Sequence, residues 1–260
     1  MAKISCFIIT KNEQARISAA INSVKDIVDE MIIIDGGSID DTIAISQSLG
    51  AKVISNKLGY VAQRTLGENS CSNTWILNIN PDEELTPELR DEIEFIFRSN
   101  IQNKYTAYAV NITTLHRNDV KPRLFAPVNK RICIYNKKLC HYSNNIASTS
   151  YDAFTFDQKL NTKNKIYHLN GIAYHKLGSS IKQSLAKANF YSTQQANNLL
   201  ASSMLSSKIL VIGKMLFCFF ETYFIKRYVV LGFDGFIEAM ILAFAEFIRL
   251  AKAREHAKIN

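Results

Sequence analysis

Residues 31–42 read Met-Ile-Ile-Ile-Asp-Gly-Gly-Ser-Ile-Asp-Asp-Thr, an apolar run closed by an acidic, glycine-bearing turn. The construction recurs at Trp75-Ile76-Leu77-Asn78-Ile79-Asn80-Pro81-Asp82-Glu83-Glu84. Each run is a buried strand that delivers a carboxylate, and parallel strands of one sheet would bring Asp35 and Asp82 to the same edge. Open α/β sheets bind their ligands at the carboxyl ends of the strands. Acids at that edge suit a divalent cation and the polar groups of a nucleotide, so the pair points to an enzyme that uses a nucleotide-linked donor.

The first hundred residues alternate strand and helix around these runs. Residues 3–9 form a strand, and Asn12-Glu13 open a helix carrying Ile17, Ala20, Ile21 and Val24 at helical spacing. A strand over 30–34 is followed by a helix from about Asp40 that Gly50 stops, then a short strand over 52–55. A helix spans Gly59 to Ser72, a strand Trp75 to Ile79, and Thr86-Pro87 begin another helix with proline at its first position. This spacing predicts parallel βαβ units. Residues 104–176 change character, with strands over 105–112 and 131–135 among Asn, Lys, Ser and Tyr, a loop-rich region suited to a second substrate.

From Ser180 the chain becomes helical, and residues 204–253 carry a dense aromatic and aliphatic load split at Gly232-Phe233-Asp234-Gly235. Charges at Lys214, Glu221, Lys226, Asp234, Glu238 and Glu246 keep every run short of the ~18 uncharged residues of a spanning helix. Two readings of this helical hairpin stay open. It lies on the cytoplasmic face of a membrane, its Lys and Arg residues toward anionic headgroups, or it is a cap buried against the α/β domain.

The formal charge of +8, from 31 Lys+Arg against 23 Asp+Glu, suits an anionic partner. The basic residues are spread along the chain and no nucleic-acid motif accompanies them, so nucleic acid is not the expected partner. Cys6, Cys71, Cys133, Cys140 and Cys218 are odd in number, scattered and without a C-x-x-C pair, the pattern of reduced thiols in a cytosolic protein. The opening apolar stretch ends at Lys11-Asn12-Glu13, too early for a signal peptide, and the expected location is cytoplasmic.

Four segments in order resemble glycosyltransferase family 2: Ile8-Ile9-Thr10-Lys11-Asn12-Glu13, Ile34-Asp35-Gly36-Gly37-Ser38-Ile39-Asp40-Asp41-Thr42, Gly59-Tyr60-Val61-Ala62-Gln63-Arg64, and Trp75-Ile76-Leu77 running to Asp82-Glu83. The segment from Tyr223 to Lys252 is similar to the branch that holds lipopolysaccharide core β-glucosyltransferases. The resemblance implies an α/β fold of the GT-A (Rossmann-like) type over residues 1–178. Within it, 1–100 is the nucleotide-binding half and 104–176 the acceptor side, with a helical extension over 179–260. It implies an inverting transfer of a hexose from a nucleotide-diphosphate sugar, UDP-glucose-like, to a cell-surface glycan or glycolipid acceptor.

That chemistry needs a nucleoside site, charge compensation for the departing diphosphate and a base for the acceptor hydroxyl. The resemblance puts Thr10, Asn12, Glu13 and Asp35 around the nucleoside and Gln63 and Arg64 toward the nucleotide or its phosphates. It puts Asn80 at the donor and Asp82 on a divalent metal, Mg²⁺ or Mn²⁺. The family's metal motif is usually Asp-x-Asp, and here Asn80 takes the place of the first acid. Asp152 is implied as the base, with Asp157 next in line. His175, in Gly171-Ile172-Ala173-Tyr174-His175, is implied at the metal or diphosphate, with His168 as its competitor. Plainer readings stand beside these: Asp35 and Asp40 as helix caps, Arg64 as a solvated helix residue, and Asp82-Glu83-Glu84 as acids leading a helix. Asn80 and the absence of the family's His-Glu pair motivate an alternative, a catalytically impaired relative serving as a binding or scaffold protein in glycan assembly.

Overall fold

The computed structural model describes residues 3–57, 59–116, 119–142, 154–156, 166–177, 180–199 and 208–259. Asp152 and Asp157 lie outside them. In chain order the first elements are β1 (Ile4–Thr10), α1 (Ile17–Val24), β2 (Glu30–Asp35), α2 (Thr42–Ser48), β3 (Lys52–Ser55), α3 (Tyr60–Ser70) and β4 (Trp75–Ile79). β1 pairs in parallel with both β2 and β4, and β2 with β3. The strands read as unbroken apolar runs because both faces are covered. Ile4, Cys6, Ile8, Ile33 and Leu77 meet Ile17, Ile21 and Val24 of α1 on one face. Phe7, Ile32, Ile34 and Ile76 form a second cluster with Cys71 and Tyr135 on the other.

The predicted helix beginning at Asn12 starts instead at Ile17. Asn12 has a φ of 55°, which no helix residue adopts, and its side chain is used elsewhere, as described below. The helix expected from Asp40 begins at Thr42, whose N–H and hydroxyl donate to Asp40 Oδ1 at 3.1 and 2.5 Å. Gly50, at φ 85°, ends it as expected.

The acids Asp82-Glu83-Glu84 lead no helix. Glu83–Leu85 form a short strand, β5, and the next helix, α4 (Pro87–Arg98), is opened by Thr86, whose hydroxyl accepts from Leu89 N–H at 3.4 Å. β6 (Ala107–Leu115), β7 (Val128–Asn136) and β10 (Ile166–Lys176) follow, with the short pair β8 (Cys140–Tyr142) and β9 (Phe154–Phe156) between the last two. The main sheet has eight strands in the order β3-β2-β1-β4-β7-β6-β10-β5. Its first four strands are mutually parallel, whereas β7 runs antiparallel to β4, and β10 antiparallel to β5. The sequence contained no local sign of β10 as a long strand, and it is this strand that completes the edge around Asp82.

The chain divides into two compact units. The first holds residues 1–113, 129–144 and 150–176, and the second 114–128, 145–149 and 177–260. In the second unit α5 (Ile181–Leu199) and α6 (Lys208–Phe220) both pack on α7 (Phe233–Ile259). The turn between α6 and α7 holds Arg227 at φ 64° and Gly232 at φ 67°. Gly235 lies in the first turn of α7 against the Tyr228 carbonyl, so close that a Cβ would sit 1.9 Å from that oxygen.

Candidate active site

The carboxyl ends of β1, β2 and β4 meet at one edge because the three strands run parallel and adjacent. Thr10 and Asp35 are register partners at the ends of β1 and β2. Asp35 is 1% exposed and accepts from Gly37 N–H at 2.9 Å, Ser38 N–H at 3.0 Å and the Ser38 hydroxyl at 2.5 Å. These three bonds shape the loop that follows β2; it is Asp40, before the N-cap Asp41, that accepts from the N–H of Thr42 at the start of α2. Asn12 secures the same loop from the other side, its Oδ1 accepting from Ile39 N–H and its N–H donating to Ser38 Oγ, each at 2.9 Å. Thr10 Oγ1 is buried with no hydrogen-bond partner among the described residues. A group of that kind is costly unless something satisfies it.

Asp82 sits in the turn between β4 and β5. Its carbonyl accepts from Lys176 N–H at 2.9 Å, which ties the turn to the end of β10. His175, one residue back, is the register partner of Glu83. His175 Nε2 is 3.7 Å from Asp82 Oδ2, with Asp82 14% and His175 33% exposed. His168 lies an odd number of residues earlier on β10, hence on the other face of the strand, and is exposed. Of the two histidines, the structure brings His175 to Asp82.

Arg16, not anticipated from the sequence, closes this corner. Its Nε and Nη2 donate to Glu13 Oε2 at 2.9 and 2.5 Å, and its Nη1 to the Lys176 carbonyl at 3.1 Å. The same Nη1 is 3.7 Å from Asp82 Oδ2. Glu13 is therefore buried as the partner of Arg16, and its N–H donates to Thr42 Oγ1 at 2.8 Å. The available signal was an acid and an arginine three residues apart at a helix start, which reads as an ordinary surface pair.

A second missed group lies behind Asn80. The Asn80 Nδ2 and N–H donate to Glu83 Oε1 and Oε2, both at 2.9 Å. Glu83 is buried and pairs with Arg131 Nη2. Arg131 Nη1 reaches Asn78 Oδ1 at 3.3 Å, and Arg64 Nη2 donates to the same oxygen at 3.3 Å. Arg64 is thus a buried member of a polar network and not a solvated helix residue. Gln63, also buried, donates from Nε2 to the Asn56 carbonyl at 2.6 Å. No sequence pattern connects Glu83 with Arg131, because the two side chains, 48 residues apart, come together only in the folded molecule.

The donor chemistry of the corner suits a hard divalent cation. Asp82 offers carboxylate oxygen and His175 an imidazole nitrogen from a separate strand. Among the described residues no group of three or more His, Cys, Asp or Glu converges to hold a metal. A cation held here would draw its remaining ligands from phosphate and water, as Mg²⁺ characteristically does. Arg16, on the same Asp82 oxygen, supplies positive charge of its own.

The sequence model of Glycosyl transferase family 2 matches residues 5–156. The chain belongs to glycosyltransferase family 2. An uncharacterized glycosyltransferase of Rickettsia felis is 53% identical to this family 2 enzyme over 256 residues, covering 98% of this chain and 90% of that protein. A second, RP128 of Rickettsia prowazekii, is 51% identical across 98% of this glycosyltransferase and 88% of its own length. The lipopolysaccharide core biosynthesis glycosyltransferase LpsC of Rhizobium meliloti is 35% identical over 94 residues, 34% of each chain. Among solved structures, glucosyl-3-phosphoglycerate synthase of Mycobacterium tuberculosis aligns over 45% of either chain at 21% identity and a TM-score of 0.35, too slight a likeness to bear on the site.

Proposed function

We propose that this glycosyltransferase is an inverting hexosyltransferase that takes a UDP-hexose as donor and a cell-surface glycan of the lipopolysaccharide core class as acceptor. The observation that carries the donor reading is the approach of Asp82, in the turn between β4 and β5, and His175, on β10, to 3.7 Å at the edge where β1 and β2 end. The unpartnered Thr10 hydroxyl and the loop held by Asp35 and Asn12 support a nucleoside beside it. Similarity to LpsC over about a third of the chain supports the acceptor class.

In this reading Thr10, Asn12, Glu13 and Asp35 line the nucleoside, and Gln63, Arg64 and Asn80 stand toward the phosphates. Asp82 and His175 would hold a divalent cation, which when bound offsets charge on the departing diphosphate as a Lewis acid. Arg16 and Arg64 add fixed positive charge near the same place, where preorganised dipoles and charges act most strongly. The acceptor hydroxyl attacks the anomeric carbon, its proton passes to a carboxylate, and the bond from that carbon to the diphosphate oxygen breaks on the opposite side. Asp152 is our candidate for that carboxylate.

Turnover of a panel of UDP-sugars with lipopolysaccharide-core acceptors, with and without Mn²⁺, tests the proposal. Release of UDP and a product of inverted anomeric configuration is the expected result. UDP binding by calorimetry without turnover on any pair would favour the second reading, a donor-binding scaffold. One observation favours that reading: Asn80 turns its amide toward Glu83 where the family commonly has an acid.

A further inference from the structure

α6 presents its largest apolar residues outward. Val211 is buried, and Met215 and Cys218 are half-buried on the inner side. Ile209, Ile212, Leu216, Phe217 and Phe220 are exposed, Ile209 to 84% and Phe217 to 65%, and Phe224 in the following turn continues the row. These positions recur at helical spacing and form one stripe. Phe220 and Phe224 stack with centroids 5.8 Å apart, and Ile225 beside them is 71% exposed. At 100° per residue, Lys208 and Lys214 fall on opposite flanks of the stripe. Lys226 and Arg227, both exposed, stand at its end.

Acids offset little of this charge: among the described residues, Lys226 is the one of these four cations paired with an acid, Glu221. Residues 208–220 contain no acid. Each described acid from 221 to 246 already has a partner: Glu221 with Lys226 Nζ at 3.2 Å, Asp234 with His116 Nε2 at 2.5 Å, Glu238 with Ser184 Oγ at 3.1 Å, and Glu246 with Arg249 Nη2 at 2.5 Å. α6 has 13 residues, about 20 Å of helix, well short of a hydrocarbon core of about 30 Å. Among the described residues no helix is long and apolar enough to cross a membrane.

We propose that this stripe docks on an anionic bilayer surface. α6 lies in the membrane plane, with Phe217, Phe220 and Phe224 at the acyl boundary and Lys208, Lys214, Lys226 and Arg227 among the headgroups. Charge complementarity selects this occupant over a second copy of the chain. A two-fold contact through the stripe would oppose the lysine flanks of both copies with no acid on α6 to answer them. The inference stands apart from the sugar-transfer reading, since the stripe belongs wholly to the second unit.

Co-sedimentation of the full chain with vesicles tests it. We expect pelleting with phosphatidylcholine vesicles containing phosphatidylglycerol, weak pelleting with phosphatidylcholine alone, and release by salt. Lys208→Gln and Lys214→Gln should each weaken partition about fivefold. Phe217→Ser with Phe220→Ser should weaken it about tenfold or more, with melting temperature and circular dichroism as controls on folding. Failure to pellet with anionic vesicles, or full binding by the folded phenylalanine variant, overturns the proposal. So does a dimer in sedimentation velocity that the same phenylalanine substitutions dissociate, which would assign the stripe to a second copy. Neither measurement involves turnover, so a failure of the transfer reading leaves this test intact.

Discussion

Asn80→Asp is the substitution for which charge counting and geometry give opposite answers. Counting ligands alone, a second carboxylate beside Asp82 strengthens a cation site. The amide, however, donates to Glu83 Oε1, so the change sets a second anion against a buried carboxylate. We expect a loss of about 1–3 kcal/mol, read as a lower urea midpoint, and no gain in Mn²⁺ affinity for the UDP complex; an unchanged midpoint would remove this bond from consideration. Asp82→Ala should lower turnover by roughly a hundredfold or more and leave the far-ultraviolet spectrum as it is. Arg131→Ala strands the buried Glu83 charge and should cost about 3–5 kcal/mol, whereas Arg131→Met with Glu83→Gln should recover much of it. At this scale the sequence was legible where a residue's place follows from its own strand end, as for Asp35 after the apolar run of β2 and Asp82 beyond β4. It was silent on Arg16 and Arg131, whose partners include the carbonyl of Lys176 and the carboxylate of Glu83, both distant in sequence.

The elements that could be read locally were those with local causes. β1, β2 and β4 announce themselves as apolar runs, and α4 has its cap at Thr86, its proline at the first turn and Arg98 in the last. β5 and β10 were missed because three acid-rich residues and a mixed eleven-residue stretch become strands only by joining the sheet, β5 on β10 and β10 between β6 and β5. Gly171 shows how tightly that pair is seated. A Cβ there would fall 2.4 Å from Leu89 Cα and 2.7 Å from its nitrogen, both backbone atoms of α4. Gly171→Ala should cost about 1–3 kcal/mol or more and also reduce kcat, because His175 rides on the same strand. A lowered melting temperature with normal kcat would uncouple the two. Glu30, at the start of β2, joins β1 and the segment between α3 and β4 by accepting from Ser5 Oγ at 2.6 Å and from Ser72 N–H at 2.8 Å. Burial works to raise its pKa, but the bonds from Ser5 and Ser72 and the nearby Lys52 outweigh it and hold the carboxyl below its ordinary value of 4.5. A lowered folded-state pKa contributes stability above the unfolded value that is lost as pH falls through the folded one. Glu30→Gln should therefore lower stability at neutrality, where the ionised carboxylate contributes, and flatten the further loss below about pH 4.5, as denaturant titrations at neutral pH and in acid followed by circular dichroism would read.

For the whole molecule, the helical character of the C-terminal third was legible, but the composition of the second unit was not. Residues 114–128 belong to it, bound through His116 to Asp234 and through Arg123 Nη1 to the Val230 carbonyl at 3.3 Å. Such contacts carry no sequence signature. The division into two compact units predicts a calorimetric trace that departs from one two-state transition. UDP with Mn²⁺ should raise only the transition of the first unit, by about 2.7 kcal/mol at a hundredfold excess over Kd; an equal shift of the whole trace would argue for one cooperative body. The pairing of β10 with β5 has a consequence for how the enzyme comes into being. Slipping that ladder by one residue would set Tyr174 or Lys176 opposite Glu83 in place of His175 and turn the imidazole to the far side of the sheet. If His175 serves the donor as proposed, this strand doubles as an inspection step: a copy threaded out of step has no histidine beside Asp82 and would stay mute until the sheet closes in register.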